Sequence, residues 1–195
     1  LAVIRGATEL LLSQNELPEK ARQRLLRIER AARQSNELTD ALLLLSRSEK
    51  QKPEKGDVTD VAQVVEQVVD THRTSIGNKP IEVRIEVNHP CQVEAPAAVL
   101  SVALGNLIGN AFKYTPEGEV VIRVEADRVV IEDSGKGISP VEADRLFDRG
   151  FRGASATGKG AGLGLAIVVR LCELYGWKVM LEPGKTGGAV ATLQF

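Results

Sequence analysis

The chain has 195 residues, with 25 Lys plus Arg against 26 Asp plus Glu, a formal net charge of −1, and 43% apolar and 26% charged residues. This is globular composition and excludes disordered, collagenous and low-complexity classes. The charge balance gives no support for a broad nucleic-acid surface, and no apolar run reaches the roughly 18 residues of a membrane helix.

The two cysteines, Cys91 and Cys172, form no CxxC and read as buried free thiols. His72 and His89 lack neighbouring Cys or His, so no zinc site is expected.

In chain order, residues 1–12 read as the end of a helix with Leu1, Ile4, Leu11 and Leu12 apolar. Ser13–Pro18 is a turn, and Pro18 suits the start of a second helix over about 19–48. Leu25, Ile28, Ala32, Ser35, Leu38, Leu42 and Leu45 follow a near-heptad spacing. A two-helix hairpin cannot bury two such stripes alone, so a second copy making a four-helix bundle is the simplest partner. Its basic residues (Lys20, Arg22, Arg24, Arg27, Arg30, Arg33) read as a solvated face. Residues 49–57 are charged, with Pro53 and Gly56, and read as a linker.

From residue 58 the pattern changes to α/β with a mixed sheet. A helix is predicted over 60–76 on Val61, Val64, Val65, Val68 and Val69. Ile81–Val87 alternates as a half-buried strand. A short strand near 92–95 precedes a helix over about 96–114, then strands at 119–125 and 128–132. A short helix near 140–147 leads into a Gly-rich stretch, a helix over 163–175, and strands near 177–182 and 188–194.

Three segments carry chemistry. Asn106, Asn110 and Lys113 are spaced i, i+4 and i+7, so they share one face of the predicted helix. Carboxamide oxygens beside an ammonium suit a magnesium–phosphate complex. Asp133-Ser134-Gly135-Lys136-Gly137 follows an apolar strand. An ionised Asp there can accept a hydrogen bond from the exocyclic amine of adenine, and the glycines let backbone approach a ring. Gly158-Lys159-Gly160-Ala161-Gly162-Leu163-Gly164 opens a helix whose free N–H groups can cradle phosphate, and it is neither a P-loop nor a Rossmann turn. The small residues between Leu146 and Thr157 read as a long lid, with Phe147 and Phe151 at its root and Arg149, Arg152 and Lys159 within reach of phosphates. Each segment alone also fits a solvated stripe, a strand-end turn or a loop.

In this order and spacing the segments resemble the ATP-binding domain of sensor histidine kinases of two-component systems: an N box (Asn106–Lys113), a first glycine box (Asp133–Gly137), an F box (Phe147–Phe151) and a second glycine box (Gly158–Gly164). Residues 1–48 resemble the family's dimerisation and histidine-phosphotransfer hairpin. The resemblance implies a hairpin (1–48), a linker (49–57) and an α/β sandwich of the gyrase–chaperone–kinase ATPase superfamily (58–195). It implies Asn110 as magnesium ligand with Asn106 assisting, and Lys113 and Tyr114 at phosphates or ribose. It places Asp133 at adenine, with Gly135, Gly137, Gly160, Gly162 and Gly164 shaping an ATP pocket. Ala161, Leu163, Arg149, Arg152 and Lys159 join that binding set. The implied partners are a second copy and a response regulator, and the implied setting is the cytoplasmic portion of an inner-membrane receptor.

Two departures stand out. Leu1 looks like the last Leu of the phosphoacceptor motif, so the acceptor His is expected six residues upstream of it, outside this sequence. Gly150 stands where many relatives carry an aromatic residue. In the superfamily's hydrolases a Glu lies four residues before the magnesium Asn. Here that residue is Asn106, which cannot take a proton, so transfer to histidine is expected over hydrolysis. A non-catalytic nucleotide-binding module, an ATPase and a serine kinase of the same superfamily are the alternatives.

Overall fold

The computed structural model describes residues 2–12, 17–18, 20–28, 32, 58–77, 79–139, 163–185 and 187–195. The chain forms two compact units, Leu1–Lys50 and Gln51–Phe195. In the first, α1 spans Ala2–Leu12, and residues 20–28 form a second helical segment, α2. Thr8 is buried, whereas Leu10, Leu11, Leu26 and Ile28 are exposed. The heptad positions beyond Ala32 and the 49–57 linker lie outside the described residues.

The second unit begins with a strand that three residues of sequence cannot announce. Here β1 (Val58–Asp60) pairs antiparallel with β3 (Gln92–Glu94). This ribbon launches two helices. Asp60 caps α3 (Val61–Ile76) by accepting from the N–H groups of Ala62 (2.9 Å) and Gln63 (3.2 Å), the usual service of an Asp to unpaired N-terminal donors. Gly77, at φ 58°, ends that helix. Past β3, Pro96 stands before α4 (Ala97–Tyr114).

The main sheet has five strands in the order β2-β4-β5-β7-β6. They are β2 (Ile81–Val87), β4 (Gly118–Val124), β5 (Arg128–Asp133), β6 (Lys178–Pro183) and β7 (Ala189–Gln194). The β2–β4 pair is parallel and the others antiparallel, which is the mixed sheet expected. With α5 (Leu163–Tyr175), three helices form one layer: α4 packs between α3 and α5, over the strands.

The period-2 pattern sorts the sheet into faces. Val120, Ile122, Val124, Val129, Ile131 and Leu193 point to the helices and are 0–1% exposed. They meet Leu100, Leu104 and Ile108 of α4 and Val61, Val65 and Val69 of α3 in one core. The opposite face carries ion pairs: Arg84 with Glu119 and Glu82, and Arg123 between Glu86 (3.1 Å) and Glu132 (2.8 Å). Cys91 and Cys172 are free and buried, as the sequence implied. Burial pushes the Cys172 thiol up to about 11, helped by Glu173.

Candidate nucleotide site

Of the sequence-predicted residues, Asn106, Asn110, Lys113, Tyr114, Asp133, Gly135, Gly137 and Gly164 are described, and they lie along α4 and the elements packed against it. That helix exists because apolar residues recur on one face of it; Val99, Leu100, Ala103, Leu104, Leu107, Ile108, Ala111 and Phe112 are buried. The remaining stripe carries Asn106, Asn110 and Lys113.

Asp133 ends β5 on the helix-facing side of the sheet and is 9% exposed. Its Oδ1 accepts from the Gly135 N–H at 2.8 Å. Burial raises its pKa, while the Gly135 and Ala189 N–H groups and the Thr115 hydroxyl pull it down. Thr115 Oγ1, although near enough to act on that charge, is buried without a hydrogen-bond partner of good geometry. A buried carboxylate with acceptor capacity left, beside an orphaned hydroxyl, suits a ligand that donates one hydrogen bond and accepts another. An aminopurine edge does both.

The backbone here is tight. A β-carbon on Gly135 would meet the Tyr114 carbonyl at 2.5 Å and Asp133 Oδ1 at 2.8 Å. Gly188, with φ 73°, has its Cα against the Asp133 carbonyl, and a β-carbon would collide there. Gly137, also at φ 73°, faces the Gly188 carbonyl. Neither Gly188 nor the Thr115 hydroxyl is singled out by sequence. Gly188 stands there only at the start of the strand predicted near 188–194. Ser134 fastens the turn to β4: its Oγ accepts from Glu119 N–H at 2.8 Å and its N–H donates to the Glu119 carbonyl at 3.0 Å.

At the other end of the stripe, Asn106 donates its amide to the Val102 carbonyl at 2.8 Å, and its Oδ1 lies against Gly164 in the first turn of α5. Its amide is thus committed to its own helix. The Asn110 side chain is half-buried, and no described residue hydrogen-bonds its carboxamide. Lys113 folds over Tyr114, with Nζ 4.8 Å from the ring centre and 3.2 Å from the hydroxyl. Asn106 and Tyr114 are eight residues apart, about 12 Å along a helix axis, a span that suits a nucleotide from base to phosphates. Arg149, Arg152, Lys159, Gly160, Ala161, Gly162, Phe147 and Phe151 lie outside the described residues, and Leu163 opens α5. An open groove lined by Asn88, His89 and Glu125–Arg128 sits at the far end of β4 and β5 and contains none of the predicted residues.

Residues 95–195 match the family model "Histidine kinase-, DNA gyrase B-, and HSP90-like ATPase", and residues 1–51 match "His Kinase A (phospho-acceptor) domain". The chain therefore belongs to the histidine kinase, DNA gyrase B and HSP90-like ATPase family. The two models together place it among the bacterial sensor histidine kinases. It is 30% identical to sensor protein QseC of Escherichia coli K12 over 100% of this chain and 44% of that protein. It is 32% identical to the sensor-like histidine kinase SenX3 of Mycobacterium bovis over 82% of this chain and 41% of the relative. The chain thus spans less than half the length of these curated relatives. Among solved structures, the mycobacterial sensor histidine kinase MprB gives a TM-score of 0.61 at 28% identity, covering 70% of this chain and 94% of MprB. The cytoplasmic segment of histidine kinase QseC gives 0.59 at 25% identity, covering 86% of this chain and 93% of that segment.

Proposed function

We propose that this chain is the catalytic core of a sensor histidine kinase that binds Mg-ATP along α4. The observation that carries the reading is that Gly135 of the first glycine box and Gly164, the last residue of the second, both meet one helix, Gly135 against Tyr114 and Gly164 against Asn106. Asp133 accepts the adenine amine, and the Thr115 hydroxyl completes the base contact. The Asn110 carboxamide oxygen holds magnesium, a hard cation that prefers oxygen ligands. Asn106 packs against Gly164 and assists. Lys113 swings from Tyr114 to the phosphates, joined by Arg149, Arg152 and Lys159. The bound magnesium supplies charge neutralisation at the γ-phosphoryl group. No residue of the N box can take a proton from water, because Asn106 is a carboxamide. The phosphoryl group is therefore reserved for a histidine acceptor and then a response-regulator Asp.

The hairpin unit supplies the dimer. Leu10, Leu11, Leu26 and Ile28 expose apolar surface there, which supports pairing with a second copy. The described residues contain no helix long and apolar enough to cross a membrane. We assign the chain to the cytoplasmic part of a membrane receptor.

The test is magnesium-dependent ATP binding by the chain, then labelled-ATP transfer to a histidine-bearing His Kinase A hairpin supplied in trans. An acid-labile, base-stable protein label is expected. Free phosphate without a protein label would replace the kinase by an ATPase. Binding with neither product would make the chain a non-catalytic module.

A further inference from the structure

The C-terminal end of α4 is held by a residue outside every motif. Lys79, in the loop between α3 and β2, donates from Nζ to the carbonyls of Phe112 (2.7 Å) and Thr115 (3.1 Å), with a longer bond to Lys113 (3.4 Å). An ammonium has three N–H donors, and all three are used. The last turn of a helix leaves its carbonyls unpaired. Here Ala111 takes the Thr115 N–H at 3.1 Å, Lys79 takes Phe112 and Lys113, and the Tyr114 carbonyl faces Gly135. The cation also sits at the negative end of the helix dipole.

The post is itself rooted. Lys79 N–H donates to the Ile76 carbonyl at 3.2 Å, and its carbonyl accepts from Ile81 at 2.9 Å. The adjoining Pro80 carbonyl accepts from Gly118 at 3.0 Å, at the start of β4. One side chain thus ties the α3–β2 loop to three carbonyls that flank Tyr114, those of Phe112 and Lys113 before it and Thr115 after it. Their peptide units set where the Thr115 hydroxyl stands against Asp133 and where the Tyr114 carbonyl stands against Gly135.

We propose that Lys79 is a positioning residue for nucleotide recognition: it fixes the 112–115 segment so that Thr115 meets the base. This rests on the nucleotide site proposed above. The mechanism is geometric, because Lys79 spends its donors on main-chain carbonyls. Arg in its place keeps charge and donors but spreads them over a planar fork, so it recovers only part of the convergence.

The test is titration of Mg-ADP into the full chain for wild type, Lys79→Met, Thr115→Val and the double variant. Lys79→Met is expected to weaken binding about tenfold, equivalent to about 1.4 kcal/mol. Lys79→Arg is expected to recover binding to within about threefold of wild type, since charge-assisted donation returns. If Lys79 acts through Thr115, the double variant loses little more than either single one, whereas independent sites add. In the ligand-free protein, the amide resonances of Thr115 and Gly135 should move in Lys79→Met while those of β6 stay in place. Binding within about twofold of wild type in Lys79→Met, or a double-variant loss equal to the product of the single losses, overturns the proposal. Lys79→Gln carries the same comparison if Lys79→Met does not fold. Wild type failing to bind Mg-ADP would sink the nucleotide site itself. Wild type binding while Lys79→Met binds equally sinks only the role of Lys79.

Discussion

The side-chain oxygen of Asn106 lies so close to the Cα of Gly164 that a β-carbon there would collide with it. The second glycine box is therefore glycine-bound at this point by packing, independent of any phosphate. Both partners are fixed: Asn106 is tied to Val102 at 2.8 Å, and Gly164 sits in the first turn of α5. Gly164→Ala must either rotate Asn106 off its bond or push α5 outward. We expect a stability loss of about 1–3 kcal/mol, the usual cost of overpacking, read by chemical denaturation. Magnesium-dependent nucleotide affinity should fall with it. Undiminished affinity would mean that Asn106 packs helices and does nothing for the ligand.

The two carboxamides of the N box should separate on mutation. Asn110 makes no hydrogen bond with a described residue, while Asn106 serves helix packing. Asn106→Ala should weaken magnesium-dependent nucleotide binding by about 10–100-fold, the range for groups that orient a metal ligand. Asn110→Ala should cost more, to the point of abolishing the magnesium dependence. Titrating nucleotide with and without magnesium reads both. Equal losses in the two variants would remove the distinction.

Asp133 gives a pH signature. Burial raises its pKa in the folded chain, and the hydrogen bonds from Gly135 and Ala189 only partly offset this. A carboxyl with a raised folded pKa holds its proton longer in the native state than in the unfolded one. Its contribution to stability is present below the unfolded value and is lost as pH rises through the folded value. Wild type should therefore lose stability relative to Asp133→Asn as pH climbs from the ordinary carboxylate range towards neutrality. Urea melts of both proteins across that window check the sign. A difference that does not change with pH would mean the carboxylate is as comfortable folded as unfolded. The same substitution replaces one carboxylate oxygen by a donor, so adenine nucleotide affinity should drop even where stability rises.

How far this site was legible in the sequence depended on the reach of each interaction. The α4 and α5 helices, the alternation of Ile81–Val87 and the two cysteines followed from local periodicity and composition. Asp133, Gly135 and Gly164 stood in motifs whose spacing survives folding. Strand β1 escaped, because three residues show no period and its pairing partner Val93 lies 34 positions from Thr59. Thr115 falls just past the N box, and its buried orphan hydroxyl depends on where β5 ends. Gly188 stands only at the start of a predicted strand until Asp133 is laid against it. Lys79 looks like any loop charge, since its partners lie 33–36 residues away. Asn106 and Asn110 share a helix stripe as predicted, but only neighbouring α5 could reveal that one of them is used for packing.

The energy that holds α4 in place should come from the core rather than from the ion pairs on the opposite face of the sheet. Leu104 is fully buried between the helix layer and the strands. Leu104→Ala should cost about 2–5 kcal/mol, as cavity-forming substitutions do. Arg123 bridges Glu86 and Glu132 across three strands, and those hydrogen bonds raise its pKa. Its side chain is nonetheless 31% exposed and those of its partners 41% and 33%, so solvent screens the pairs. Arg123→Gln should cost about 1 kcal/mol or less, and that cost should shrink further in 1 M salt, where the Debye length is about 3 Å. Denaturant melts at low and high salt separate the two. A larger, salt-insensitive loss for Arg123→Gln would mean that its stem packs over Val121 and Val130 and matters for its carbon atoms more than for its charge.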